Sequence, residues 1–171
     1  MNTAVVLTIS DSAFQGKRED LSGPAIVQKL QAAGFQVSRT TIVPDERDQI
    51  QQQIIDCCLQ ADLVITVGGT GIAARDVTPE ATLAVIERRV DGIPEKMRAL
   101  GAAKTPLAAL SRGICGVRGK SLVLNLPGSP KAAVESLEAV LDILPHALDL
   151  LQGNTEHGPQ PEKPQPKKMK G

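Results

Sequence analysis

The sequence predicts an α/β fold: a doubly wound, mostly parallel sheet with helices on both faces, built as a single domain. Three observations carry that prediction. Compact apolar or β-branched runs at residues 4–9, 35–43, 63–67 and 121–126 alternate with stretches of helical periodicity, the mark of βαβ units. The runs at 4–9 and 63–67 are almost continuously apolar, as strands covered on both faces must be. Each run ends in a polar or glycine-rich cluster before the next helix begins, so the connections are short and the crossovers right-handed.

Residues 4–9 form the first strand, and the polar stretch 10–16 reads as a loop. Ser22-Gly23-Pro24 starts a helix, because proline's fixed φ suits the first turn. That helix runs to about Ala33 and stops at Gly34. The second strand, 35–43, ends at Pro44-Asp45. Asp45 is expected to cap the next helix, whose buried face takes Ile50, Ile54 and Cys57 or Cys58. The third strand, 63–67, runs straight into Gly68-Gly69-Thr70-Gly71. Thr78-Pro79-Glu80 starts another helix, with Thr78 as its cap, and this helix is expected to reach about Arg89. A further helix begins near Pro94. The strand at 121–126 ends at Pro127-Gly128-Ser129-Pro130. A last helix is expected over 130–152, kinked at Pro145. No internal repeat is visible. The composition shifts at Gly153, so a folded domain over 1–153 and a disordered, Pro/Lys-rich tail over 154–171 are expected.

Composition narrows the function classes. Phe14 and Phe35 are the only aromatic residues among 171, so the core is aliphatic and a base-stacking platform is disfavoured. Nineteen basic residues balance nineteen acidic ones, and no nucleic-acid partner is expected. Cys57, Cys58 and Cys115 have neither a disulfide-framework nor a zinc spacing. They read as reduced thiols in a reducing, cytoplasmic compartment. The first apolar run is too short for a signal peptide or a membrane span, so no membrane association is expected.

In such sheets, ligands bind beyond the carboxyl ends of the strands. Four polar clusters fall there: Ser10-Asp11-Ser12, Pro44-Asp45-Glu46, Gly68-Gly69-Thr70-Gly71 with Asp76, and Pro127-Gly128-Ser129-Pro130-Lys131. Three glycines in four residues let backbone N–H groups approach an anion without a Cβ in the way. Read alone, the same segment is a tight turn. It is not the dinucleotide fingerprint G-x-G-x-x-G. Gly119-Lys120-Ser121 looks like the end of a P-loop, but Ile114 stands where that motif needs glycine, and a strand follows where it needs a helix. Asp45 and Asp76 have local readings as a helix cap and a turn acceptor. Facing a phosphate-binding loop, the two carboxylates also suit magnesium, which takes one or two carboxylates beside substrate phosphates. Lys131, at a helix start, suits a phosphate or a solvated surface. His146 is placed as structural or exposed, and Cys115 is given no catalytic role.

Val64-Ile65-Thr66-Val67-Gly68-Gly69-Thr70-Gly71, followed by Arg75-Asp76-Val77-Thr78-Pro79-Glu80-Ala81, closely resembles the signature of the molybdenum-cofactor biosynthesis (MogA/MoaB) family. Asn125-Leu126-Pro127-Gly128-Ser129-Pro130-Lys131 resembles its second signature. Thr8-Ile9-Ser10-Asp11-Ser12, Ser22-Gly23-Pro24 and Val43-Pro44-Asp45-Glu46 match further blocks in order. The resemblance spans about residues 4–153. Within the family it points to the molybdopterin adenylyltransferase branch, related to the N-terminal domain of gephyrin.

The resemblance implies that ATP and molybdopterin give adenylylated molybdopterin and pyrophosphate, with Mg2+. It implies a homotrimer and a molybdenum insertase as partner. Carried onto this sequence, it makes Asp45 and Asp76 the catalytic and metal-holding residues. Gly68, Gly69, Thr70, Gly71, Pro127, Gly128, Ser129 and Lys131 become nucleotide-binding. Ser10, Asp11, Ser12, Ser22 and Thr78 become the pterin and phosphate pocket. Two other readings stand beside this one. A non-catalytic molybdopterin-binding or scaffolding protein of the same pathway is disfavoured by the presence of both Asp45 and Asp76. A molybdenum insertase is disfavoured because 171 residues leave no room for its further domains.

Overall fold

The computed structural model describes residues 1–154. The expected tail over 154–171 thus lies, but for its first residue, outside the described residues. Strands β1 (Thr3–Ile9), β2 (Gln36–Val43), β3 (Leu63–Val67) and β6 (Ser121–Leu126) run parallel. The short strands β4 (Arg88–Arg89) and β5 (Cys115–Arg118) pair antiparallel at one side. The sheet order is β2-β1-β3-β6-β5-β4, so the chain forms the doubly wound, mostly parallel sheet that the alternating pattern predicts.

Among the described residues seven helices surround it: α1 (Asp11–Phe14), α2 (Ser22–Ala32), α3 (Arg47–Cys58), α4 (Thr78–Leu83), α5 (Gly92–Ala102), α6 (Pro130–Glu138) and α7 (Leu144–Leu151). Successive side chains of a strand point to opposite faces, and the central strands use both. Val6 and Ile65 pack with Ile26 and Leu30 of α2, Leu137 of α6 and Leu148 of α7. Leu7 and Val64 pack on the other face with Ile50, Ile54 and Cys57 of α3 and Ala81 of α4. Every residue of β3 and β6 is buried. Strand β2, at the edge, alternates exposed and half-buried positions. Among the described residues no helix is long and apolar enough to cross a membrane.

Several boundaries differ from the sequence reading, each for a local reason. The stretch read as a loop at 10–16 contains the helical turn α1, capped by the Ser10 hydroxyl, which accepts from the Ala13 N–H at 3.2 Å. Asp45 is not the cap of α3. Glu46 holds that position without a side-chain cap bond, and the Asp45 carboxylate is turned to Asp11 instead. Thr78 is likewise not the cap of α4 but its first residue, and its hydroxyl reaches back to Gly68. That helix ends at Leu83 rather than near Arg89. The Glu87 and Val90 N–H groups donate to the carbonyls of Val117 and Cys115, so the chain leaves the helix to add β4 at the sheet edge. The helix expected over 130–152 is two helices. Pro145 has no N–H to donate and its ring blocks the preceding turn; it stands in the first turn of α7, where neither matters. Gly119-Lys120 joins β5 to β6 as a two-residue hairpin connection, with Gly119 at φ +57, a turn that glycine favours.

Candidate active site

Strands β1, β2, β3 and β6 end side by side, and their loops build one site. Gly68 and Gly69 take φ values of +109 and +65, the region where glycine alone is unstrained. The Gly68 N–H donates to the Leu126 carbonyl at 3.0 Å, extending the pairing of β3 with β6 by one step. A Cβ on Gly68 would strike the Ile9 carbonyl oxygen, and one on Gly69 would strike the Thr78 hydroxyl and stand 3.0 Å from Asp45 Oδ1. The glycines are therefore required by the close approach of three loops as well as by their own turn. Thr78 locks the loop from behind. It is fully buried, its hydroxyl donates to the Gly68 carbonyl at 2.9 Å, and its N–H donates to the Gly69 carbonyl at 3.1 Å. From β6, a Cβ on Gly128 would lie 3.3 Å from the Gly68 Cα. The Ser22 hydroxyl donates to the Gly128 carbonyl at 2.7 Å, tying α2 to the same point.

The acidic residues are held by backbone groups. The Asp11 N–H donates to Asp45 Oδ2 and the Asp45 N–H to Asp11 Oδ1, both at 2.9 Å. Arg75 clasps this pair from outside: Nε donates to Asp11 Oδ2 at 2.6 Å, and Nη2 to Glu46 Oε1 at 2.8 Å and the Asp45 carbonyl at 3.2 Å. The Arg75 guanidinium holds the Asp11 carboxyl below the ordinary carboxylate range. Among the described residues no cation sits on the Asp45 carboxylate. Burial pushes its pKa up, and the nearby charges of Asp11 and Asp76 add to that. Asp76 Oδ2 accepts from the Ala73 N–H at 3.0 Å and lies so near Gly71 that a Cβ there would stand 2.8 Å from it. Asp20, on the α2 side, accepts from Thr8 Oγ1 at 2.6 Å and from the Ser22 and Gly23 N–H groups at 3.1 and 2.9 Å.

Two cavities meet at this point. The smaller, about 310 Å³, is lined by Ser10, Ser22, Asp45, Gly68 and neighbours in the β1–α2 loop. The larger, about 500 Å³, is lined by Thr70, Gly71 and Pro127 on one side and by Met97 and Leu107 on the other. The far wall comes from α5 and a 3-10 helix, Pro106–Leu110. Gly69, Asp76, Gly128 and Ser129 line both. Backbone-rich loops and a carboxylate at a shared mouth suit two anionic ligands brought into contact.

Most of the residues singled out in the sequence converge here, and four do not face either cavity. Asp11 is occupied by Arg75 and Asp45, Ser12 by the Ser10 hydroxyl at 3.2 Å, and Thr78 by the glycine loop. Lys131 is exposed on α6 and lines neither space. Asn125 is fully buried and structural. Its Nδ2 donates to Thr66 and Thr82 at 2.8 and 3.0 Å, and its Oδ1 accepts from the Ile114 N–H at 3.2 Å. Sequence reasoning gave no role to Asp20, Arg75 or Arg112. Asp20 carries a readable signal, an acid three residues ahead of Gly23 at a helix start. Arg112 carries none, being far along the chain from everything it touches. The three cysteines are free; burial pushes Cys58 up to about 11 and Cys115 up to about 12, so neither is a thiolate nucleophile near neutral pH.

Residues 5–146 match the family model described as "Probable molybdopterin binding domain". The molybdopterin adenylyltransferase of Helicobacter pylori strain J99 is 46% identical over 153 residues, covering 87% of each chain. The molybdenum cofactor synthesis protein cinnamon of Drosophila melanogaster is 43% identical over 150 residues, which are 85% of this chain and 25% of that longer one. The crystal structure of the molybdopterin biosynthesis enzyme MoaB from Thermus thermophilus is 50% identical and superposes with a TM-score of 0.85 over 90% of this chain and 98% of that one.

Proposed function

The chain belongs to the molybdopterin-binding domain family, and from that premise we propose that it transfers an adenylyl group from ATP to molybdopterin in molybdenum cofactor biosynthesis. The observation that carries the proposal is the junction of two cavities at the glycine loop and Asp76. It is joined by likeness over nearly the whole chain to proteins named molybdopterin adenylyltransferase. We assign the nucleotide to the larger cavity, beside Thr70, Gly71 and Pro127, and the pterin phosphate to the smaller, beside Ser10 and Ser22. Asp11, Ser12 and Thr78 support these walls from behind rather than touching ligand.

A terminal phosphate oxygen of molybdopterin attacks the α-phosphorus of ATP. The new P–O bond forms as the bond to the β-phosphate oxygen breaks, and pyrophosphate leaves. Such a transfer needs alignment and charge neutralisation more than a covalent nucleophile. The protein's part is to hold the reacting groups at the junction with the N–H groups of the glycine loop and to set Asp45 and Asp76 beside them.

Magnesium fits this donor set. Among the described residues no group of three metal-ligating side chains occurs, but Asp45 and Asp76 each commit one carboxylate oxygen to a backbone N–H, and no described residue engages the other. Two carboxylates completed by substrate phosphates are what this ion accepts. Bound there, it would neutralise phosphate charge. We further assign the protein to the cytoplasm, in keeping with its free thiols, and to a homotrimer with a molybdenum insertase downstream; a stable monomer by solution mass measurement contradicts the trimer.

The test is incubation with ATP, magnesium and molybdopterin. Adenylylated molybdopterin with equimolar pyrophosphate is the expected result. Molybdopterin binding without ATP turnover would favour the scaffolding reading.

A further inference from the structure

We propose that Arg112 is a positioning residue for adenylyl transfer, its guanidinium fixing the turn that carries Gly71 and Asp76 at the junction of the two cavities. This inference rests on the adenylyl-transfer reading above. Arg112 lies just ahead of β5, after the segment that walls the larger cavity. Its Nε donates to the Gly71 carbonyl at 2.7 Å, and its Nη2 to the Asp76 carbonyl at 2.6 Å. Its backbone N–H donates to the Thr70 carbonyl at 2.8 Å. Nη1 pairs with the Glu80 carboxylate in the first turn of α4, and this pairing holds Glu80 below the ordinary carboxylate range.

One planar group therefore closes both ends of the 71–76 turn and anchors it to the helix behind. In a trans peptide the N–H points opposite to the C=O. Drawing the Thr70 and Gly71 carbonyls to Arg112 leaves the next two N–H groups, of Gly71 and Ile72, facing away from it. Asp76 is fixed from two directions. Its carbonyl is held by Arg112 and its carboxylate by the Ala73 N–H inside the same turn. Only a guanidinium offers donors spread widely enough to take two carbonyls and a carboxylate in one plane; a lysine ammonium is a single point. A displacement of about 1 Å at a reacting group costs roughly a hundredfold in rate, so loosening this turn is expected to reach catalysis.

The test compares wild type, R112K, R112A, D76N and the R112K/D76N double variant by kcat, KM and thermal midpoint. R112K is expected to lower kcat roughly tenfold or more, with KM for ATP and molybdopterin within about threefold and the fold retained. Because Arg112 acts through Asp76, R112K is expected to cost little more when D76N is already present. Millimolar guanidinium is expected to restore part of the activity of R112A. A folded R112K with wild-type kcat would overturn the proposal. So would fully additive effects in the double variant, or no guanidinium rescue of a folded R112A. Loss of folding in both R112K and R112A would make Arg112 a stability residue and overturn it too. If the wild type itself forms no adenylylated product, the adenylyl-transfer reading fails instead.

Discussion

Asp11 and Asp45 face each other through a reciprocal pair of hydrogen bonds, each backbone N–H donating to the other's carboxylate at 2.9 Å. This exchange fixes the loop after β1 against the loop after β2, and the two carboxylates end in opposite environments. Arg75 neutralises Asp11, whereas Asp45 is partly buried with no cation from the described residues on its carboxylate. Environments that push paired titratable groups apart are how a site assigns them different roles. Under the proposed reaction, Asp11 would hold the loop and Asp45 would face the reacting groups.

Arg75→Ala removes the clasp at a residue that itself lines neither cavity. Asp11 then keeps only the Asp45 N–H as partner, its carboxyl rises toward the ordinary range, and the Asp45 carbonyl loses its bond from Arg75. Because Arg75 is largely exposed, water screens its ion pairs and the thermal midpoint is expected to move little, while adenylyl transfer falls roughly 3- to 10-fold. Thermal melts and initial rates on one preparation check both expectations; unchanged rates would remove Arg75 from the positioning of Asp45.

The raised pKa of Asp45 gives a stability effect of defined sign. Its proton is held more tightly in the folded chain than in the unfolded one. That contribution is fully present below the unfolded pKa and is lost as pH rises through the folded pKa. At neutral pH the ionised carboxylate therefore costs stability. Asp45→Asn, which keeps an acceptor for the Asp11 N–H, is expected to melt no lower than wild type at pH 7. Its advantage is expected to shrink as pH falls toward the ordinary carboxylate range, near ~4. Melting curves of the two proteins over that pH span decide the point. A variant markedly less stable at pH 7 would mean that the hydrogen bond outweighs the buried charge.

Gly69→Ala tests the packing of the three loops. The new methyl group enters at φ +65, against the Thr78 hydroxyl and 3.0 Å from Asp45 Oδ1. Backbone strain alone amounts to ~1–2 kcal/mol, and Asp45 is displaced, so stability and transfer are expected to fall together. An alanine variant with wild-type rate would show that the loop has room that its geometry denies.

Asn125→Ala separates structure from chemistry within the second signature. It strips partners from Thr66, Thr82 and the Ile114 N–H in a fully buried position. A loss of about 1–3 kcal/mol is expected, with KM for both substrates near wild type at a temperature where the variant stays folded. A selective rise in one KM would instead place Asn125 in ligand binding.

The parallel strands, the start of α2 and the glycine loop are legible because each rests on a local pattern: a continuous apolar run in 63–67, a proline in the first turn at Pro24, glycines where the backbone turns left-handed. The caps are not legible because tertiary partners displace local ones. Asp45 and Thr78 have the chemistry of helix caps, yet Asp11 and the Gly68 carbonyl claim their side chains. Strands β4 and β5 escaped because two residues such as Arg88-Arg89 have no periodicity to read, and they become a strand only through pairing with Gly116 and Val117. Arg112 is invisible for the same reason, since its side-chain partners lie 32 to 41 residues distant.

Asp45 and Asp76 each present one carboxylate oxygen that no described residue engages. The measurement is the rate of adenylylated molybdopterin formation by wild type, Asp45→Asn and Asp76→Asn, with ATP and magnesium saturating and folding verified on each sample. Each variant keeps shape and loses a charge. Each is expected to fall roughly a hundredfold or more, which corresponds to ~3 kcal/mol of transition-state stabilisation, while molybdopterin binding largely persists. Full activity in both variants would contradict the assignment and leave the glycine loop as a binding feature alone.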